Sequence, residues 1–541
     1  MTSLLFRRIT RLFLACFAMA AAPAMLPAQT AGAYVTTNLI SDGSVPATTM
    51  DPLFLNPWGM SVSPNWWISA NGSGLNFVVP PSLSIAFKVV VPNAATGTVP
   101  GQPTGAVTTA GATGMVLPNG TKASFLFSTL DGTISGWNGK LGTAGAISQI
   151  VVNNAAANAV YTGLAALNTG SASYLLVPNF GAGSKVEVYD NTFKPATLAG
   201  SFTDPTLPAG YSPYSIHVLG TQIFVAYAVR TSAAPYNEVL APGNGLVDVY
   251  DTNGQFVARA VTGGNLNAPW GVALAPATFG PFANDLLIGN FGDGKINVFD
   301  PKTYAYLGQL TDGTGNTLVY LSLWDLLPGG TPNSSGSKSG GTVGTVYFTA
   351  GLAGEAHGLL AGIANDSTTA GTATFAASSS SATFAVTAGS SVQTTVALAP
   401  IYNFNGSVSL ACPGAPNGVT CTFSPAQLSL NGTMPATTTV TIQTQKGNVA
   451  GLAEPSSGRM VWAVLLPVAM LVGLRRRRLL MGRPKLFASV VLLTLAAGLM
   501  SACSSAGITY LQGTPAGAQI VNVVATSGGI SRQVPITLTV K

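Results

Sequence analysis

Pro269-Trp270-Gly271-Val272-Ala273-Leu274, then Leu286-Leu287-Ile288-Gly289-Asn290-Phe291-Gly292-Asp293-Gly294, then Lys295-Ile296-Asn297-Val298-Phe299-Asp300 are three short apolar runs parted by glycine-rich turns. Runs this short, rich in β-branched and aromatic residues and bounded by Gly, Asn and Asp, read as antiparallel strands. The same pattern returns at Tyr174-Leu175-Leu176-Val177-Pro178-Asn179-Phe180-Gly181-Ala182-Gly183 followed by Lys185-Val186-Glu187-Val188-Tyr189-Asp190. Working outward, Pro57-Trp58-Gly59-Met60 with Asn71-Gly72-Ser73-Gly74 forms one further copy, and Phe125-Leu126-Phe127 with Asp131-Gly132 another. Pro213-Tyr214-Ser215-Ile216 with Leu246-Val247-Asp248-Val249-Tyr250-Asp251 forms the fourth copy in chain order, and Leu321-Ser322-Leu323 with Val346-Tyr347-Phe348-Thr349-Ala350-Gly351 a degenerate last one.

A repeat of roughly 50 to 56 residues built from four short strands is the signature of a β-propeller. Each blade has two apolar faces and buries both against its neighbours, so no blade is stable alone. Residues 34–364 are therefore expected to form a six-bladed propeller. The strand from Tyr34 to Ile40 precedes the first copy and is expected to pair with the last blade and close the ring.

Asn56-Pro57-Trp58-Gly59, Leu266-Asn267-Ala268-Pro269-Trp270-Gly271, Gly289-Asn290-Phe291-Gly292-Asp293-Gly294 and Tyr347-Phe348-Thr349-Ala350-Gly351 resemble an uncharacterised family of exported bacterial propeller proteins. The resemblance implies a six-bladed fold related in shape to the NHL type. It implies no activity.

The balance of charge argues against a polyanion-binding face. Arg7, Arg8, Arg11, Arg475, Arg476, Arg477, Arg478, Arg483 and Lys485 all border apolar runs, which leaves 14 of the 23 Lys and Arg to face 17 Asp and Glu. No nucleic-acid partner is expected. Residues 1–28 read as a signal peptide: three arginines, an apolar stretch from Leu12 to Ala22, then small residues with cleavage expected near Ala28. An exported protein meets an oxidising compartment, in which Cys412 and Cys421 would pair.

From residue 369 to 446 apolar residues alternate with Ser and Thr, as in Thr438-Thr439-Val440-Thr441-Ile442, the mark of a sheet wet on one face. This part resembles immunoglobulin-like domains of bacterial surface proteins but is short of strands. Residues 507–541 continue the alternation and are expected to complete the sandwich. Between them, in 459–502, lie apolar runs at 460–474 and 486–502, joined by the Arg-rich loop 475–485. Cations in the loop place it in the cytoplasm, so both flanks face outward as the ends of a two-helix transmembrane hairpin. Two other readings stay open: a sorting signal processed at the membrane, and a lipoprotein signal ending at Cys503, its lipidation site.

Chemistry is sparse. Asn71, Asn179 and Asn290 occupy equal repeat positions and, with Asp131 and Asp293 nearby, are candidate Ca2+ ligands; the competing reading is turn stabilisation by local hydrogen bonds. His217 and His357 are the 2 histidines and lie in different blades. Trp58 and Trp270 read as blade packing. The expectation is an all-β, membrane-anchored, non-catalytic scaffold at the cell surface that binds a surface protein or glycan. The alternative is a Ca2+-dependent hydrolase or lactonase with its site in the propeller channel.

Overall fold

The computed structural model describes residues 33–330, 340–366, 372–432, 434–447 and 513–541. The signal, both apolar runs, the Arg-rich loop and Cys503 lie outside the described residues. Among the described residues no helix is long and apolar enough to cross a membrane, and the fold is all-β.

Six consecutive sheets make the ring of a β-propeller. Their first strands are Pro57–Val62, Pro103–Thr108, Ala165–Asn168, Tyr211–Leu219, Pro269–Leu274 and Leu323–Pro328, each in contact with the next and the last with the first. These are the innermost strands. Pro57–Val62 and Trp66–Ala70 are buried at every position, because a blade is covered on both faces, whereas an edge strand such as Phe256–Thr262 stays half-exposed.

Blade size departs from a uniform four strands. The third blade has three, and its last strand Lys185–Asp190 is continued only by a single bridge from Tyr189 to Pro195. The last blade has five, because Ala33–Ser41 pairs antiparallel with Leu359–Asp366 and carries Thr49–Met50 on its outer edge. Ring closure is thus made by the strand that begins the described chain. Tyr34 secures it: its ring stacks on Phe282 and tilts on Phe279, and its hydroxyl donates to the Phe279 carbonyl at 2.8 Å. At the other end of the strand Asp42 Oδ2 meets His357 Nδ1 at 2.6 Å.

The P-W-G pattern has a structural cause. The first and second strands slip register between Pro57 and Met60, Pro103 and Gly105, Pro213 and Ser215, Pro269 and Val272, and Leu323 and Leu326. Such bulges re-aim side chains. Trp58, Tyr214, Trp270 and Trp324 sit in them and turn towards the ring axis. The residue ahead of the strand takes positive φ at Asn56 (43°), Ala268 (47°) and Ser322 (54°), a conformation that costs a non-glycine residue about 1 kcal/mol. The glycine after Trp270 is required by its neighbour, since a Cβ at Gly271 would lie 2.6 Å from the Trp324 carbonyl. Gly59 stands the same way against Thr104, at 2.7 Å.

Beyond the ring, two sheets share one apolar core. One is ordered Thr374–Ser379, Ser391–Ile401, Ala436–Thr444, Val419–Ser424; the other Thr383–Val386, Ile530–Val540, Gly517–Ser527, Asn405–Ala411, Gln427–Asn431. Their strands alternate buried and exposed, as Gln427–Asn431 does. Cys412 and Cys421 form a disulfide. The sandwich rests on the fifth blade: Ala376, Ala399 and Ile401 join the core of Phe279, Phe282 and Leu310. Tyr306 and Ser378 hydroxyls meet at 2.9 Å, and Arg532 donates to the Thr314 and Phe375 carbonyls, both at 3.0 Å.

Because closure rests on Tyr34, Tyr34→Ala is expected to lower stability by about 3–5 kcal/mol and Tyr34→Phe by about 1 kcal/mol. The midpoint of the propeller's urea transition, followed by tryptophan fluorescence, checks the order and size of the two losses.

Candidate functional site at the centre of the ring

The four re-aimed aromatics meet at the axis together with Phe180 and Phe291. Trp58 stacks on Trp324 with centroids 3.5 Å apart, Phe291 stacks on the same indole at 4.3 Å, and Trp270 meets it edge-on at 6.1 Å. Phe180 packs on Tyr214 at 4.8 Å, and Leu130 and Val160 add contacts from the second and third blades. All six rings are at most 5% exposed. The channel is therefore filled at this level by side chains from the whole circle, and this packing accounts for Trp58 and Trp270.

The stopper is pinned by hydrogen bonds. Trp270 Nε1 donates to the Thr162 carbonyl at 3.0 Å, and Trp324 Nε1 to Asn56 Oδ1 at 2.9 Å. Carbonyls freed by the bulges are taken by hydroxyls of adjoining blades, Ser215 on Trp270 and Thr349 on Trp58.

One face of the ring carries the turns between second and third strands, where Asn71, Asp131, Asn179, Asn290 and Asp293 all lie. Each asparagine is engaged locally. Asn71 Nδ2 donates to the Pro103 carbonyl at 3.2 Å. Asn179 Oδ1 accepts from the Val160 and Gly181 amides, while its Nδ2 donates to Glu187 at 2.8 Å. Asn290 Nδ2 donates to the Asn265 carbonyl and to Asp293 Oδ1, at 2.7 and 2.9 Å. Asn290 and Asp293 are thus brought together, whereas Asn71 and Asn179 serve turns of other blades. Among the described residues no group of three His, Cys, Asp or Glu converges to hold a metal.

The same face holds two residues that the repeat reading passed over, Glu238 and Glu355. Glu238 sits in the insertion between Gln222–Val229 and Gly245–Asp251, and Glu355 in the turn after Thr345–Ala350. Glu355 accepts from Asn56 Nδ2 at 2.6 Å, which links it through Asn56 to Trp324. Burial raises both carboxyls above the usual range, and the charge of Glu238 adds to the rise at Glu355. Beside them Arg230 lies over the Tyr236 ring at 4.5 Å, and Tyr236 packs on the stopper. Glutamate is rare in this chain, and lining up the second-to-third turns of all copies would have singled these two out.

A second titratable pair lies farther along the innermost strands. His217 Nδ1 is 4.0 Å from Asp325 Oδ1. His217 Nε2 faces the Trp270 carbonyl at 2.9 Å, so that nitrogen carries the proton. Asp325 accepts from the Met60 amide at 2.7 Å and the Leu326 amide at 2.9 Å. Burial pushes His217 down to about 4 and Asp325 up to about 7.

No family model matches the chain. Three uncharacterised proteins of Acanthamoeba polyphaga mimivirus are similar in sequence. R640 is 31% identical over 202 residues, which is 36% of this chain and 36% of R640. R648 is 27% identical over 61% of this chain and 79% of its own length, and L690 is 27% identical over 63% and 88%. Two solved structures also align. The PQQ-bound aldose sugar dehydrogenase of Streptomyces coelicolor does so at 10% identity and a TM-score of 0.35, over 62% of this chain and 99% of its own. A quinonprotein alcohol dehydrogenase-like protein of Bacteroides thetaiotaomicron does so at 12% and 0.20, over 54% and 48%.

The His217–Asp325 pair generates a pH signature. The histidine, depressed from 6.5 to about 4, contributes stability that is complete above 6.5 and lost as pH falls towards 4. The aspartate, raised from 3.8 to about 7, contributes stability that is complete below 3.8 and lost as pH rises towards 7. Between about 4 and 6.5 the two slopes oppose each other. Asp325→Asn should therefore make the melting temperature, relative to the parent, climb from pH 4 to 7, and His217→Gln should make it fall from pH 4 to 6.5. Parallel curves for parent and both variants would refute the assignment.

Proposed function

We propose that the chain is a non-catalytic binding scaffold that meets its ligand on the ring face bearing the second-to-third strand turns. The observation that supports this reading is the stopper. Rings packed at van der Waals distance leave the axis at that level to protein atoms, so ligand contacts fall to the rim, where Arg230, Tyr236, Glu238 and Glu355 stand. Carboxylates that accept from vicinal hydroxyls, beside an aromatic ring and a guanidinium, suit a polyhydroxylated ligand, and the scaffold is read as a glycan binder.

The scaffold is further proposed to be exported and held at a membrane surface, with an immunoglobulin-like sandwich beside the ring. The apolar runs on either side of Arg475 to Arg478 support a hairpin that enters and leaves the bilayer on one side. One structural feature agrees with it. Gln445, where the first part of the sandwich ends, exchanges hydrogen bonds with Thr514, where the second begins: Thr514 N to the Gln445 carbonyl at 2.8 Å and Gln445 N to Thr514 Oγ1 at 2.9 Å. The intervening segment therefore departs and returns at one place.

Binding of the detergent-solubilised chain to immobilised surface polysaccharides is the direct test. Binding that falls about tenfold in Tyr236→Ala and in Glu238→Gln supports the reading, a loss of the size expected for a central contact. Stoichiometric calcium uptake abolished by Asn290→Ala and Asp293→Ala, together with ester or lactone turnover, would replace it with the hydrolase. Retention in the membrane pellet after alkaline extraction, lost on deleting 459–502, tests the anchor separately.

A further inference from the structure

The sandwich is completed by the end of the chain in an unusual place. Gly517–Ser527 and Ile530–Val540 are interior strands of their sheet, flanked on one side by Asn405–Ala411 and on the other by Thr383–Val386. Ser409 to Ala411 pair with Thr526 to Val524, and Thr383 to Val386 run parallel to Thr537 to Val540. The hairpin brings Val521, Val523, Ile536 and Leu538, all fully buried, into the core shared with Val396, Leu398, Val440 and Ile442 of the facing sheet. Lys541 exchanges backbone hydrogen bonds with Val386 and Ala388. Arg532 reaches past the sandwich to the Thr314 carbonyl of the propeller.

We propose that Thr383–Val386 and Asn405–Ala411, with the apolar face behind them, form a docking surface for the C-terminal hairpin 514–541 as a separate piece. A break anywhere in 448–512 then leaves propeller and C-terminal piece joined. The hairpin is gripped by strand pairing on both edges, by a dry core on its inner face and by the ring through Arg532, and a hydrophobic core with satisfied backbone does not need the covalent connection. Cys412 and Cys421 both lie on the propeller side of any such break, so the join is non-covalent. Gln445 and Thr514, which flank the stretch to be cut, are held together by hydrogen bonds of their own.

This inference is independent of whether the segment crosses a membrane. It also bears on processing. Removal of everything after residue 478 would strip two interior strands from the sandwich, whereas a cut that leaves 514–541 in place would leave the propeller tethered to whatever carries the C-terminal piece.

The test places a site-specific protease sequence within 448–458 of the full chain, so that both apolar runs remain with the C-terminal piece and only the sandwich can retain the propeller. After complete cleavage the two pieces are expected to co-elute from a size-exclusion column in detergent at the uncut mass and to part in urea. Separate elution without denaturant overturns the proposal. In an Ile536→Asp chain cut in the same way, the co-eluting fraction is expected to fall about tenfold or more, since a carboxylate cannot be seated in that core. Undiminished co-elution in the variant would show that something other than strand seating holds the piece, and overturns the proposal equally.

Discussion

The bulge at the start of the innermost strands is the constraint on which the rest of the ring depends. It turns Trp58, Tyr214, Trp270 and Trp324 to the axis, where their packing replaces a channel by a solid hub. It also frees carbonyls that the ladder no longer uses, and these are satisfied by Ser215, Thr349 and His217 from adjoining strands. A buried carbonyl left unpaired would cost about 1–3 kcal/mol, so hydroxyl-bearing residues recur where blades touch. The glycines after Trp58 and Trp270 belong to the same arrangement, since neighbouring inner strands approach so closely that a Cβ at Gly59 or Gly271 would collide with backbone.

The hub sorts the polar groups into two settings. On the turn-bearing face Glu238, Glu355, Arg230 and Tyr236 are half-buried, and burial biases both carboxyls towards the neutral form. Along the inner strands His217 and Asp325 are shut in with their hydrogen bonds satisfied by backbone, and their displaced titrations are the consequence of dehydration. Similar chemistry thus stands in two different settings: half-buried at the rim, and dehydrated in the interior, where its displaced titration acts on stability.

Much of this was legible from residue order. Apolar runs spaced by glycine turns announced the repeat, and the closing strand from Tyr34 was legible because its apolar alternation stood ahead of the first copy. The asparagine-bearing turns were visible too, although Asn71 and Asn290 proved to be spent on backbone that a single repeat cannot reveal, because the acceptor Pro103 opens the next blade and Asn265 lies in the connection from the blade before. Glu238 was obscured by an insertion that shifts it out of register, and Glu355 by the degeneracy of the last copy. The three-stranded third blade was equally hidden, since the residues after Asp190 keep the composition of a strand without its pairing.

The sequence by itself determined the strand content, the period of the repeat and the alternation that separates doubly covered blades from singly covered sandwich strands, because these follow from which faces of a strand can leave water. Tertiary structure alone decided that the ring is filled rather than open, that two glutamates share its rim, that His217 meets Asp325, and that the last hairpin lies between strands made long before it. Each of these joins residues far apart in the chain, and such pairings are set by the closure of the ring and the packing of one sheet on another. Local periodicity carries no record of either.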